Sequence, residues 1–340
     1  MTTGTAPGLA GALLDRTTRV PLRPRYEGAN IGTWIGFKHV NYLVEEAVLA
    51  HFRDAGAPAG ALFEDFGLGL DLVELDTRVL HALHLDDEVT AVVIAATGAA
   101  DRVVRLRVTL TVDRGGSPLK AATARVAVAL RAGGYLPTTV DPPAELARFV
   151  VPALGAHRPG PAAGFPVGPV GPVGAAAGAD PVLDRLTAGR NAYGWRAPVR
   201  YSYCHFTEWL QLSGYLRLLE EAVDRFLADR GISIATLLAG RRWIPVVPRS
   251  RVEILAEARM EEELYTVYTV EEVFKDATYT SRLDCYVRRD GALVPTATGS
   301  ITHGYAVIES RRDWRLVAFD DHVLRALAGP VPAGPGRGRP

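Results

Sequence analysis

Cysteine is nearly absent from the 340 residues, where Cys204 and Cys285 are the only two. Two isolated cysteines cannot build a disulfide framework or a paired CxxC metal site. A charge excess of either sign is missing too, because 38 Lys and Arg balance 38 Asp and Glu. A protein that neutralises nucleic-acid phosphates normally shows a basic surplus, so nucleic acid is excluded as an expected partner. No apolar run approaches the roughly 18 to 20 residues of a membrane-spanning helix. The stretch from Met1 to Arg19 lacks the basic start and apolar centre of a signal peptide. The expectation is a soluble cytoplasmic protein without a membrane partner. His81, His84 and His303 show no metal-ligand spacing, and neither a metal nor a cofactor is expected.

What is present is apolar residues at 48%, with 34 Gly and 23 Pro, in a chain long enough for two domains. The punctuation is heaviest from Pro159 to Pro181, which includes the Val-Gly-Pro-Val-Gly-Pro run at Val167 to Val173. Such a segment buries little apolar surface against its ordering entropy and reads as a linker. The expected organisation is a first unit over 18–150, a linker over 151–195 and a second unit over 196–325.

The two units repeat one pattern. In the second, Ser213 to Arg230 reads as a helix stopped by Gly231, apolar on more than one face. Strand-like runs follow at Arg251 to Arg259, Leu264 to Val273, Thr278 to Arg288 and Thr296 to Ile308, with a turn at Arg289-Asp290-Gly291. In the first, His39 to Asp54 reads as the helix. Strands are expected at Glu74 to Ala82, Val103 to Val112 and Ala121 to Leu130. His84 to Val89 matches Arg259 to Leu264, and Thr111 to Ala127 aligns with Tyr286 to Thr302 without a gap. One helix followed by antiparallel strands, twice, predicts an α+β fold in which each sheet wraps a central helix.

The second half resembles a known family. Val199-Arg200-Tyr201-Ser202-Tyr203-Cys204-His205, then Gly214-Tyr215-Leu216-Arg217 and Glu220-Glu221-Ala222, is similar to the 4-hydroxybenzoyl-CoA thioesterase group of the hot-dog fold. The first half resembles it through Arg25-Tyr26 and His39-Val40-Asn41-Tyr42-Leu43. The resemblance implies a double hot-dog, two tandem units forming a pseudo-dimer, with room for further pairing into a homo-oligomer. It also implies an enzyme acting on acyl thioesters of CoA or an acyl carrier protein, releasing an acyl or polyketide-like chain. In that family the unpaired N–H groups at the start of the buried helix polarise the thioester carbonyl. The resemblance puts those donors near Asn41 and Tyr42 in one site, and near Gly214 and Tyr215 in the other.

Where the family carries an acid after R-Y-x-x-x, this chain has His205. In the first half, alignment back from Asn41 puts Gly32 or Thr33 there, after a short insertion. The candidate catalytic residues are therefore His205, His39, Asn41, Glu208 and Thr33, with His205 or His39 as base. Candidate substrate-binding residues are Trp34, Tyr42, Tyr203, Trp209, Gly214 and Tyr215. Glu45, Glu46, Glu220 and Glu221 offer helix carboxylates that a fold of this kind points across the repeat interface. Arg241 and Arg242 are candidates for a carrier phosphate.

Two alternatives stay open. His205-Phe206, with Gly214 and Leu216 beyond, also resembles hot-dog hydroxyacyl-carrier dehydratases, which implies dehydration, isomerisation or cyclisation with His205 as base. The helix carboxylate of that pattern falls on Leu219, one residue before Glu220. A chain lacking the family acid in both halves also fits a non-catalytic thioester or carrier-protein binder.

Overall fold

The structure, a computed structural model, describes residues 8–133, 140–158, 164–166, 180–204 and 207–329. The first unit runs α1 (Leu9–Asp15), β1 (Thr17–Leu22), α2 (Phe37–Asp54), α3 (Ala59–Phe66), β2 (Leu68–Val79), β3 (Val89–Ala95), β4 (Val104–Asp113) and β5 (Pro118–Ala132). Short strands β6 (Val150–Val151) and β7 (Phe165–Pro166) follow. The second unit runs α4 (Pro181–Thr187), β8 (Ala192–Pro198), α5 (Leu212–Asp229), α6 (Ile234–Arg241), β9 (Trp243–Ile254), β10 (Glu263–Phe274), β11 (Thr278–Arg289), β12 (Ala292–Ile308), β13 (Trp314–Val317) and α7 (Asp321–Ala328). Phe37 and Leu212 open matching helices, as do Ala59 and Ile234, and Leu68 and Trp243 open matching strands. Each pair is 175 positions apart.

The strands join in the order β1-β3-β4-β5-β2-β9-β12-β11-β10-β8. At its centre β2 pairs antiparallel with β9, and Asp76 faces Arg251, its own equivalent 175 positions on. A pseudo-two-fold therefore passes between those two residues. α2 and α5 each bury several apolar side chains against their own unit's strands, among them Val44, Val48 and Phe52 in α2 and Leu219, Val223 and Phe226 in α5. Ion pairs from Arg249 to Asp76 and from Arg251 to Glu74 bridge the central strands.

The tandem α+β architecture agrees with the sequence reading, and several details differ, among them β3, which the pattern did not show as a strand. Each unit carries a leading strand, β1 or β8, that the pattern did not announce. Both form the outer edges of the sheet, where Pro21 and Pro198 are tolerated because an edge leaves N–H groups unpaired anyway. Strand β9 begins at Trp243 rather than Arg251, and Pro245 and Pro248 in its first half hid it. Strand β2 likewise begins at Leu68 rather than Glu74, and its first six residues are buried on both faces. In the stretch read as linker, α4 and the start of β8 are ordered elements, while Val167 to Val173 lies outside the described residues. No helix of the described residues is long and apolar enough to cross a membrane.

Phe226 is fully buried between α5 and Tyr268 of β10, with ring centroids 5.2 Å apart. Phe226→Ala should cost about 3–5 kcal/mol by loss of contacts and creation of a cavity. Arg249→Ala, which removes a half-exposed ion pair, should cost about 1 kcal/mol. Urea denaturation of both variants checks the contrast.

Candidate functional site

Helix α2 opens without a side-chain cap, on Gly36. The Gly36 carbonyl accepts from the N–H groups of His39 and Val40 at 3.0 and 3.1 Å. The N–H groups of Phe37 and Lys38 have no partner among the described residues, so the positive end of the helix is available there. This corrects the expectation of donors near Asn41 and Tyr42, which lie in the helix body. The H-x-N-Y-L resemblance is displaced by a turn from the helix start.

His39, the third residue of α2, is 4% exposed, and neither ring nitrogen has a hydrogen-bond partner among the described residues. Its Cβ packs on Gly28, where a Cβ would stand 2.8 Å away, so this close approach requires glycine. Glu27 Oε1 lies 3.8 Å from His39 Nε2, and the Tyr42 ring meets the imidazole edge-on at 5.1 Å. Burial lowers the His39 pKa from its ordinary value, helped by the adjacent Lys38 cation and opposed by Glu27 and Glu220.

The second unit closes the cluster. Glu220 of α5 pairs with Lys38 at 2.6 Å. Tyr42 OH donates to the Ser213 carbonyl at 3.4 Å and accepts from Arg217 Nε at 3.2 Å. The Arg217 guanidinium lies 5.7 Å from the Tyr203 ring. An imidazole, two carboxylates, an ammonium, a guanidinium and two phenols thus converge where α2 and α5 meet, beside an uncapped helix start.

The constant offset identifies a second junction, and it is chemically different. At the positions of Glu27, Lys38, His39 and Tyr42 it carries Ser202, Ser213, Gly214 and Arg217. Gly214 belongs to the backbone packing, since a Cβ there would stand 3.0 Å from the Tyr203 carbonyl. The counterpart of Glu220 is Glu45, whose carboxyl burial and the neighbouring Glu46 push up to about 7 against the pull of Arg25. His205 and Phe206 lie outside the described residues.

Offset 175 also corrects the loop alignment. The loops Arg25 to Gly36 and Arg200 to Gln211 are equal in length, with no insertion, so the counterpart of His205 is Asn30 rather than Gly32 or Thr33. The Asn30 amide lies against Gly36 so closely that a Cβ there would overlap it. Sequence reasoning missed Asn30. The signal was available in Leu43 to Val48 (LVEEAV) and Leu218 to Val223 (LLEEAV), which carry the same offset back into the loop.

The other candidates serve elsewhere. Asn41 is buried, and its Nδ2 donates to the Phe37 carbonyl at 3.0 Å and to Ser250 Oγ at 3.1 Å, tying α2 to β9. Thr33 is exposed, with Oγ1 3.4 Å from His84 Nδ1. Half-buried Glu208, its counterpart, accepts through its backbone from the Met260 N–H at 2.7 Å. Tyr215 is fully buried in the core. Arg241 pairs with Asp320 at 2.6 Å, and burial pushes the Cys204 thiol up to about 11. No His, Cys, Asp and Glu cluster able to hold a metal occurs among the described residues.

The two loop tryptophans anchor each loop in the opposite unit. Trp34 sits in an apolar seat with Ile244 and Ala306. Trp209 Nε1 instead donates to buried Asp71 Oδ1 at 3.0 Å, under the Arg131 guanidinium at 5.0 Å, and Arg131 Nε donates to Glu257 at 2.8 Å. Burial pushes the Asp71 carboxyl up to about 6, against Trp209 and Arg131. Because this folded-state pKa lies above the unfolded value, Asp71 favours the fold as pH falls through 6, and its charge opposes the fold above 6. Asp71→Asn should flatten that part of the stability profile between pH 4.5 and 7.5. Trp209→Phe should cost about 1–3 kcal/mol by orphaning the buried carboxylate, more than Trp34→Phe. Thermal unfolding across that pH range checks both.

Residues 199–327 match the family model described as the thioesterase-like superfamily. Among solved structures, one designated an oleoyl thioesterase from Lactobacillus plantarum is 11% identical, with a TM-score of 0.54 over 86% of this chain and 98% of that one. A 12:0-ACP thioesterase from Umbellularia californica is 12% identical, with a TM-score of 0.51 over 88% of this chain and 94% of that one. An acyl-ACP thioesterase from Bacteroides thetaiotaomicron is 11% identical, with a TM-score of 0.50 over 85% and 98%. Comparison with curated proteins returned no match. At such identities the likeness establishes the fold, and it spans both units. The chain has a double hot-dog fold, and residues 199–327 of its second unit match the thioesterase-like superfamily model.

Proposed function

We propose that this chain hydrolyses an acyl thioester, carried on CoA or a carrier protein, at the junction of α2 with α5. The observation that carries the reading is the meeting of His39, Glu27 and Glu220 beside the uncapped start of α2, contributed by both units. The thioester carbonyl accepts from the Phe37 and Lys38 N–H groups, which also hold the oxyanion that develops. Neutral His39 takes a proton from water as the water oxygen attacks the carbonyl carbon. Glu27 faces the imidazolium so formed. The carbon–sulfur bond then breaks, and His39 returns its proton to the departing thiolate, leaving a carboxylic acid and a thiol. Burial, helped by the Lys38 cation, keeps His39 in its basic form, and the Lys38–Glu220 pair holds the two helices in register.

Hydrolysis is preferred to dehydration here because Leu219, where the dehydratase pattern requires a carboxylate, is fully buried in the core. Free-thiol release from a panel of acyl-CoA and acyl-carrier thioesters tests the reading, and His39→Gln should lower kcat at least 100-fold. Since the His39 pKa lies below 6.5, the rate should be flat near pH 7 and fall as acidification protonates the base. Water loss without thiol release would instead indicate a dehydratase. Ligand affinity retained in His39→Gln with no turnover in either protein would indicate a binding protein.

A further inference from the structure

Outside the junction, a groove of about 680 Å³ runs between the two units along the loop that precedes α2. Its first-unit wall is Thr33, His84, Asp86, Asp87 and Arg114, and its second-unit wall is Arg311 and Arg312. Arg114 donates to both carboxylate oxygens of buried Asp87, which also accepts from the His84 N–H at 2.7 Å, so the Arg114 and Asp87 charges are spent on each other. Arg311 and Arg312 differ. They are exposed, and no carboxylate among the described residues pairs with either.

The turn that carries them is hydrogen-bonded across its backbone. The β12–β13 turn is closed by the Glu309 and Ser310 N–H groups on the Asp313 carbonyl at 3.0 and 3.1 Å. Ser310 Oγ accepts from the Arg312 and Asp313 N–H groups at 3.1 and 3.0 Å. Two adjacent guanidiniums on a braced turn suit the oxygens of a phosphate, which guanidinium engages bidentately. The volume lies within the range of small-molecule sites. Asp86 in the first-unit wall sets one negative charge against the two guanidiniums, so the cationic field is local to the groove and does not spread over a face. That distribution favours a compact phosphorylated ligand over a broad acidic protein surface. Thr33 stands four residues before Phe37, at most about 14 Å along an extended chain, so a flexible arm reaching from this groove to the start of α2 is short.

We infer that the groove binds the phosphate-bearing nucleotide end of a CoA thioester, with Arg311 and Arg312 on the phosphates and the acyl group extended to the start of α2. The inference rests on the thioester reading for its substrate, and it selects CoA over a carrier protein as the thiol. Calorimetric titration of the full chain with CoA, pantetheine and a phosphopantetheinylated carrier protein tests it. CoA should bind more tightly than pantetheine. Arg311→Ala with Arg312→Ala should weaken CoA at least tenfold and leave pantetheine affinity in place, with an unchanged thermal midpoint. Raised salt should narrow the gap between CoA and pantetheine in the wild type.

Equal affinity for CoA and pantetheine, or a double variant that binds CoA as the wild type does, overturns the inference. So does carrier-protein binding that depends on the two arginines while CoA fails to bind. Cleavage of acyl-pantetheine without CoA recognition would sink the groove and spare the hydrolase. Arginine-dependent CoA binding with no thioester cleaved would do the reverse.

Discussion

The antiparallel pairing of β2 with β9 is the constraint on which the rest of the molecule depends. It joins two separately wrapped helices into one sheet and sets the pseudo-two-fold at Asp76 and Arg251. Once that register is chosen, α2 and α5 lie side by side, and the first turn of each faces the middle of the other. The Lys38–Glu220 pair and the Tyr42–Arg217–Ser213 contacts follow from this placement. A register slip of one residue would turn the inward side chains of β2 and β9 outward and part the helices. The reciprocal seating of Trp34 and Trp209 in the opposite unit locks the same arrangement from the loops.

Duplication produced two junctions of one geometry, and substitution made them chemically unequal. The first retains an imidazole, two carboxylates and an ammonium. The second has Gly214 and serines at the matching positions, together with Glu45, a carboxyl shifted toward neutrality by burial. The loop anchors diverged in the opposite sense. The Trp34 seat is apolar, whereas Trp209 is held by Asp71, Arg131 and Glu257. Groups of both signs are costly to bury, so each polar set implies a partner that repays its desolvation. For Asp71 that partner is Trp209. For His39, whose ring nitrogens are orphaned among the described residues, the proposed partner is the reacting water.

Much of the fold was legible because a sheet-wrapped helix leaves a repeating signature. The central helices, their glycine stops and the gap-free match of Thr111 to Ala127 with Tyr286 to Thr302 were all readable. The edge strands β1 and β8 were not, because an edge position permits the Pro and Gly residues that normally signal a break. Of the candidate site, His39, Tyr42, Tyr203 and Glu220 do come together at the junction. Thr33, Asn41, Trp34, Trp209 and Tyr215 have structural or peripheral places, and Asn30 was overlooked because a motif match was preferred to the repeat offset.

Composition, periodicity and the internal repeat determined the class of fold, the duplication and the want of a metal or nucleic-acid signature, since each is a property of local pattern. Tertiary structure alone decided which groups act together. Glu27, His39, Glu220 and Arg217 are scattered over almost 200 positions, and only the β2–β9 register and the wrapping of each helix bring their charges within a few ångströms. Electrostatic interaction depends on distance and burial, and neither is written in sequence spacing once the partners lie on different units.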